Sequence, residues 1–178
     1  MKMFFFVLSV FIQSFTTIAQ NKDASSSIIE DQPYYVTNSG QMIPLEKSAA
    51  KMGKVGKSGM APTYVIEAEH ALVSFPSTDT VKLSLNTSRD YRQIDPAILF
   101  HIYHLNINNG KREAIVQQKT GYGKKAGNER IAYQVKASSE KIVFTITEKL
   151  PPGEYAIINM LSANRSDYSV NAFCFRIE

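Results

Sequence analysis

The chain has 178 residues, of which 44% are hydrophobic and 20% are charged, and its formal net charge is +4. These values are typical of one globular domain, and they exclude a disordered chain, a multi-span membrane protein and a fibrous repeat. They identify no activity, so function has to be sought in the individual elements.

The first nineteen residues have the organisation of a secretory signal peptide. Lys2 gives a positive start, residues 4–12 are almost entirely apolar, and small residues lead to Ala19. A signal peptide has an apolar region of ~7–15 residues, whereas a transmembrane helix needs ~20. We therefore expect residues 1–19 to be a signal peptide cleaved after Ala19. This predicts an exported protein, periplasmic, at the outer surface or secreted, with no transmembrane segment in the mature chain.

Residues 20–32 are polar and rich in Ser, which predicts an N-terminal tail, and residues 33–178 are predicted to form a single domain. Cys174 is the only cysteine in the chain. An intrachain disulfide is therefore impossible, although the expected compartment permits disulfides. Because Phe173 and Phe175 flank Cys174, we expect a packed structural thiol rather than a nucleophile.

The first strands are predicted as a hairpin over residues 34–45. Two runs, 34–37 and 41–45, flank the turn sequence Asn38-Ser39-Gly40. Asn and Gly supply the positive φ that a tight hairpin turn requires. The following segment, residues 46–62, is rich in Lys, Gly and Ala and is interpreted as a loop.

Short β-branched and aromatic runs continue to the end of the chain, separated by turn residues. They predict strands at 63–68, 70–75, 80–86, 97–107, 113–119, 130–136, 141–147, 154–161 and 169–177. No window longer than ten residues in the mature chain shows a convincing helical period. About eight or nine short strands of this kind predict an all-β fold, an antiparallel β-sandwich.

Alternating polarity assigns faces to several of these strands. Ile142, Phe144 and Ile146 are predicted to face a core. In the last strand, the set Phe173, Phe175 and Ile177 is predicted to face the core, and the set Ala172, Cys174 and Arg176 to face outward or to be half covered. The run 97–105 has apolar residues at odd and even positions alike, which predicts a central strand covered on both faces.

Residues 150–155 read Leu-Pro-Pro-Gly-Glu-Tyr and support the sandwich. This segment is similar to the Leu-x-Pro-Gly-x-Tyr sequence that begins a late strand in fibronectin type III and related immunoglobulin-like sandwiches. The resemblance implies an immunoglobulin-like fold in which the Tyr155 hydroxyl bonds to backbone at a corner between sheets.

The chain also resembles a group of small exported bacterial β-sandwich proteins of uncharacterised function. Three short segments carry the resemblance, and they are Tyr35 to Gly40 to Leu45-Glu46, Pro152 to Ala156, and Phe173-Cys174-Phe175. The resemblance brings no catalytic residues with it, so it implies a fold and leaves the activity open.

Gly56-Lys57-Ser58 matches only the end of a phosphate-binding loop. The motif requires Gly where position 51 is Lys, and Pro62 blocks the helix that should follow. Nucleotide binding is therefore not expected.

Two Lys-rich segments, 46–62 and 119–130, could attract anionic glycans, lipids or nucleic acid. Their basic residues are Lys47, Lys51, Lys54, Lys57, Lys119, Lys124, Lys125 and Arg130. Solvated connectors are the simpler interpretation, and no nucleic-acid partner is expected. The sequence leaves open whether the two segments form one surface.

The remaining chemistry-bearing residues do not form a recognisable catalytic or metal site. His101 and His104 have opposite parity on a strand, so a shared metal is not expected, and His70 is distant in sequence. Glu67 with Glu69, and Asp90 with Asp95, could serve acid–base chemistry or calcium, but a solvated strand face explains them equally well. No catalytic, cofactor or metal residue is predicted.

The function expected from the sequence is an exported, non-enzymatic domain that binds an envelope protein or a glycan. One alternative is a carbohydrate-binding module, with rings stacking on Tyr34, Tyr35, Tyr91 or Tyr122, although the absence of Trp disfavours it. The other is a hydrolase with an unrecognised site, which requires a concave pocket that gathers His101 or His104 with carboxylates.

Overall fold

The computed structural model describes residues 31–55, 61–78, 80–87, 94–116, 118–119, 125–126 and 130–178. The expected signal peptide and most of the expected tail lie outside these residues. Within them the protein is all-β, as predicted. None of the helices in these ranges has the length and apolar character needed to cross a membrane.

The described part of the chain contains fourteen strands and one helical turn. In chain order they are β1 (Pro33–Val36), β2 (Met42–Pro44), β3 (Glu46–Val55), β4 (Ala61–Ile66), β5 (Ser74–Phe75), β6 (Val81–Asn86), α1 (Pro96–Leu99), β7 (Phe100–Asn108), β8 (Lys111–Ile115), β9 (Gln118–Lys119), β10 (Lys125–Ala126), β11 (Gln134–Ala137), β12 (Lys141–Ile146), β13 (Gly153–Asn164) and β14 (Ser169–Ile177).

Five strands form an open antiparallel sheet in the order β11, β12, β6, β1, β2. The predicted hairpin is its β1–β2 edge, where Tyr35 pairs with Ile43. Gly40 has the positive φ expected of the turn, at 82°, whereas Asn38 does not. The alternation predicted for β12 is confirmed, because Ile142, Phe144 and Ile146 are all buried.

Six other strands close into a barrel in the order β13, β7, β8, β4, β3, β14, and β14 pairs back with β13. All of these pairings are antiparallel, and β5 adds in parallel to the end of β14. The open five-stranded sheet packs on the outside of this barrel. The arrangement therefore differs from two open sheets, because one of its two layers is closed on itself.

The core is divided in two by the wall of the barrel. The barrel interior combines five small buried side chains with larger ones such as Tyr64 and Tyr103, and the small ones are Ala50, Ala114, Ala156, Ala172 and Cys174. Between the barrel and the sheet lies a second cluster, which includes Phe100, Ile102, Phe144, Tyr155, Phe173 and Phe175. Six strands enclose a narrow interior, which explains the small side chains on that side.

This division corrects the faces predicted for β14. Ala172 and Cys174 are as buried as Phe173 and Phe175, because the strand is a wall between two cores. The two-sided burial predicted for the run 97–105 is confirmed along β7, although Pro96–Leu99 forms a helical turn instead of strand.

The interpretation of residues 46–62 as a loop is wrong. β3 and β4 occupy most of this segment and pair with each other, for example Ala50 with Ile66. Ala50 points into the barrel and is fully buried, while Lys47 and Lys51 are exposed on the outer side. A strand with lysines outside and a mixture of small, polar and apolar residues inside lacks the strong apolar alternation by which strands are recognised.

Two smaller corrections concern the ends of predicted elements. Of the run 70–75, only Ser74–Phe75 is strand, and residues 67–72 form an irregular segment. The last residue of the expected tail, Gln32, is buried, and its Nε2 donates a 2.7 Å hydrogen bond to the carbonyl of Leu45.

Candidate functional site

Arg112 on β8 is the largest fully buried side chain of the described residues and carries a charge into the barrel. Its Nη2 donates a 2.8 Å hydrogen bond to Oε1 of Glu46 on β3. Its Nη1 lies 3.9 Å from Oε2 of Glu154 on β13. A buried ion costs several kcal/mol unless it is paired, so the two carboxylates account for a charge at this depth. We call Glu46, Arg112 and Glu154 the charge cluster.

Residues 67–72, which we call the strap, lie over the charge cluster and are bonded to all three of its members. Arg112 Nε donates to the carbonyl of Ala68 at 3.1 Å. The backbone amide of Ala71 donates to Glu154 Oε2 at 2.9 Å, and that of Leu72 donates to Glu46 Oε2. Ala68 has a φ of 70°, which is uncommon for a residue with a Cβ. The strap thus has a fixed path set by charged side chains from three strands.

The ionisation of Glu46 follows from these bonds. Burial alone raises the pKa of Glu46, but hydrogen bonds from Arg112, Leu72 and Ser48, with the Arg112 charge, outweigh burial and hold it below its ordinary value. Glu46 is therefore a carboxylate at neutral pH, as its role toward Arg112 requires.

An open cleft of about 530 Å³ lies beside the strap. It is lined by His70, Ile107, Pro152, Gly153, Glu154, Arg176, Ile177 and Glu178. His70 Nδ1 lies 3.0 Å from Glu154 Oε1, and Arg176 Nε lies 3.9 Å from the same oxygen. The side chains of His70 and Arg176 are 51% and 43% exposed, whereas that of Glu154 is 3% exposed. A buried carboxylate thus positions two solvent-facing nitrogen groups at the cleft.

The floor of the cleft is the corner that the sequence predicted. The Tyr155 hydroxyl donates a 2.7 Å hydrogen bond to the carbonyl of Pro151, where the chain passes from the open sheet to the barrel. The His104 ring stacks on Tyr155 at 4.9 Å between centroids. A Cβ at Gly153 would lie 2.4 Å from His104 Nε2, so no larger residue fits there without movement of the ring.

A second, smaller cavity of about 250 Å³ lies beside β7 and is lined in part by His101, Arg130 and Tyr133. Burial, followed by the nearby charge of Arg130, lowers the pKa of His101. His101 and His104 lie on opposite faces of β7, as predicted: His101 packs near Tyr103 and His104 on Tyr155. The cavity brings neither histidine together with a carboxylate.

The other residues singled out from the sequence are dispersed. Gly56-Lys57-Ser58, Asp90, Tyr91, Tyr122 and Lys124 lie outside the described residues. Asp95 caps α1 by accepting a 2.9 Å bond from the amide of Ala97. Tyr34 and Tyr35 are 2% and 7% exposed, which leaves neither free to stack on a sugar.

The remaining predictions concern the carboxylates, the lysines and the thiol. Glu67 and Glu69 belong to the strap and not to a strand face. Lys119 and Lys125 pair across the short β9–β10 hairpin, and β9 lies near β4, the strand that begins at the end of the first Lys-rich segment. Cys174 is fully buried, and burial raises its pKa to about 12, as expected for a structural thiol.

Sequence reasoning missed the charge cluster and the role of His70. Arg112 lies in Lys111-Arg112-Glu113, which has the composition of an exposed charged strand end. The two carboxylates occur inside the short segments that carried the resemblance, Leu45-Glu46 and Gly153-Glu154-Tyr155, so those segments contained the available signal. Among the described residues, no three potential metal-ligating side chains form a group that could hold an ion.

Comparison with protein families, with curated proteins and with solved structures finds no match to this chain. The functional argument therefore rests on the geometry of the cleft and the charge cluster.

Proposed function

We propose that this protein is an exported, non-enzymatic binding domain of the cell envelope and that its partner docks at the cleft beside the strap. One observation carries the proposal: His70 and Arg176 are half exposed at an open cleft while both lie against the buried carboxylate of Glu154. Side chains held in this way are preorganised, which lowers the entropy lost on binding. The apolar Ile107, which is 47% exposed, gives the same cleft a surface for contact.

We propose export because residues 1–19 have the sequence organisation of a signal peptide. An envelope protein is the partner class we favour, because the cleft is open and wide enough for a side chain or chain end of a partner. The immunoglobulin-like relationship is part of the same proposal. It is supported by the bond from Tyr155 to Pro151 at the crossing between the two layers.

A hydrolase is the second candidate, and a specific contact favours it. A histidine oriented by a carboxylate, as His70 is by Glu154, is the arrangement of a general base. The described residues that line the cleft nevertheless include no Ser, Thr or Cys that could act as a nucleophile. A carbohydrate-binding module is less favoured, because the described residues of that lining also include no Phe, Tyr or Trp ring for stacking.

The test is a pull-down from native envelope extract with the exported protein as bait. A cleft variant, His70→Ala with Arg176→Ala, is compared with a control variant, Lys136→Ala with Arg165→Ala, whose side chains are exposed elsewhere. We expect wild type and control to retain the same partner and the cleft variant to lose it. Equal retention by all three baits, or no partner for the wild type, would contradict the proposal. Glycan-array binding lost in the cleft variant would favour the carbohydrate alternative.

A further inference from the structure

The strap is attached to the barrel almost without apolar contacts. The Leu72 side chain is 90% exposed, and residues 67–70 are exposed as well. Ala71 alone packs against the apolar cluster of the barrel interior, and it does so when only partly buried. Segments with little buried apolar surface open at a lower free energy than the core on which they lie.

Charged side chains hold the strap in place of apolar packing. Its amides at Ala71 and Leu72 donate to carboxylates, and the guanidinium of Arg112 donates to its carbonyls at Ala68 and Glu67, at 3.1 and 3.4 Å. Hydrogen bonds with one ionised partner are roughly twice as strong as neutral ones. The strength of the two amide bonds therefore depends on the charge of Glu154 and Glu46, and that of the two carbonyl bonds depends on the charge of Arg112.

Each carboxylate faces charged or titratable groups from several elements. Glu154 faces His70 on the strap, Arg112 on β8 and Arg176 on β14. Glu46 faces Arg112, and both carboxylates lie near the Cys174 thiol of β14. The strap itself carries Glu67, which pairs with Lys111 at 2.9 Å, and Glu69, which lies 3.8 Å from His70 Nε2.

We propose that the strap is an acid-released cover of the barrel end: protonation of Glu46 and Glu154 frees residues 67–72 while the barrel remains folded. A neutral carboxyl leaves the Arg112 charge buried without a counter-charge, and opening of the strap relieves this cost by admitting water to the guanidinium. The two apolar clusters of the barrel wall do not depend on these charges, so they hold the strands together during release.

Release also removes one wall of the cleft, because His70 belongs to the strap and lines the cleft. A partner bound there at neutral pH would be discharged in acid. The discharge of a partner rests on the proposed function, whereas the release of the strap does not. Since the pKa of Glu46 lies below its ordinary value, release requires a pH below about 4.3, the usual value for a glutamate.

The test is amide hydrogen exchange of the full exported protein by NMR, corrected for the intrinsic effect of pH on exchange. We expect the protection of the Ala71 and Leu72 amides to fall at least tenfold between pH 7 and pH 3, below the lowered pKa of Glu46, while the amides of Ile157 and Phe173 keep theirs. If the strap amides stay protected until the core amides lose protection with them, the strap is an integral part of the barrel and the proposal is wrong.

Variants separate the charges from other effects of acid. Glu154→Gln and Glu46→Gln should each lose strap protection at pH 7, and Glu67→Gln, a matched change on the strap that leaves its backbone bonds in place, should keep it. Strap protection unchanged in both cluster variants would overturn the proposal. Should either cluster variant not fold, the wild-type titration decides the question alone. A partner retained at pH 3 despite strap release would contradict only the proposed function.

Discussion

Tyr155 shows how one side chain can connect sequence, fold and site. Its ring is fully buried between His104 and Phe175, and its hydroxyl bonds to Pro151 at the crossing from the open sheet to the barrel. Burial raises the pKa of Tyr155 to about 12, so the hydroxyl remains a donor throughout the physiological range. The corner holds Gly153 and Glu154 at the cleft, which makes the aromatic ring part of the support of the site.

Removal of the Tyr155 hydroxyl tests whether its bond to Pro151 stabilises the corner. We expect Tyr155→Phe to lower the free energy of unfolding by about 1 kcal/mol, because an intramolecular hydrogen bond contributes roughly that amount. For a domain of this size the thermal midpoint should fall by about 2–4 °C. Tyr168→Phe is the control, since Tyr168 is 68% exposed, and it should leave the midpoint unchanged. Equal midpoints for Tyr155→Phe and wild type would show that the bond does not stabilise the corner.

β3 shows why a whole element can escape recognition. Its inward positions mix small residues with larger ones such as Met52, and its outward positions include two exposed lysines, so neither face is uniformly apolar. Ala50 is fully buried, whereas the adjacent Ala49 points to the other side and is exposed. Composition cannot distinguish these two alanines, and only the closure of the barrel gives them different environments.

The two alanines provide a matched test of barrel closure. We expect Ala50→Leu to destabilise the protein by about 1–3 kcal/mol, the usual cost of adding methylenes to a packed interior. Ala49→Leu should change the free energy of unfolding by less than about 0.5 kcal/mol, because surface substitutions rarely do more. Chemical denaturation measures both. Similar effects at the two positions would mean that the barrel interior has room for larger side chains.

At the scale of the whole molecule, the sequence predicted the kind of structure but not its closure. Period-two alternation and turn residues indicated an all-β chain, and β14 was predicted over its full length, 169–177. Alternation specifies which side chains share a face, but it contains no information about which strands pair. The pairing of β14 with β13 closes the barrel. Because these two strands are consecutive in the chain, their pairing leaves no sequence signal for closure.

The charge cluster could not be predicted from the sequence either, because strand pairing brings its members together. Glu46, Arg112 and Glu154 lie on three different strands. In the sequence, Glu46 and Arg112 are 66 positions apart. Each has the appearance of an ordinary surface charge in its local sequence, and only the barrel buries Arg112 and Glu154 and partly buries Glu46. By contrast, the bond at the Tyr155 corner is local, because its donor and acceptor residues are four positions apart, and it was predicted correctly.

The cluster also makes the stability of the molecule depend on pH. The pKa of Glu46 is lowered in the folded state, so its contribution to stability is present above the unfolded pKa, about 4.3, and is lost as the pH falls through the folded value. We expect the free energy of unfolding to fall more steeply below pH 5 in wild type than in Glu46→Gln, which has no carboxylate to protonate there. Parallel pH profiles for the two proteins would show that Glu46 does not couple to folding.

The central claim is that buried charges from separate strands act as one unit at the end of a closed barrel. A double-mutant cycle of Arg112→Met and Glu46→Gln, followed by chemical denaturation at pH 7, tests it most directly. Removal of Arg112 alone should cost about 3–5 kcal/mol, because it leaves the largely buried Glu46 without a counter-charge and leaves Glu154 with the half-exposed His70 and Arg176. The double variant should cost at least about 1 kcal/mol less than the sum of the two single variants. Additive costs, or a stable protein with Arg112→Met alone, would contradict the account.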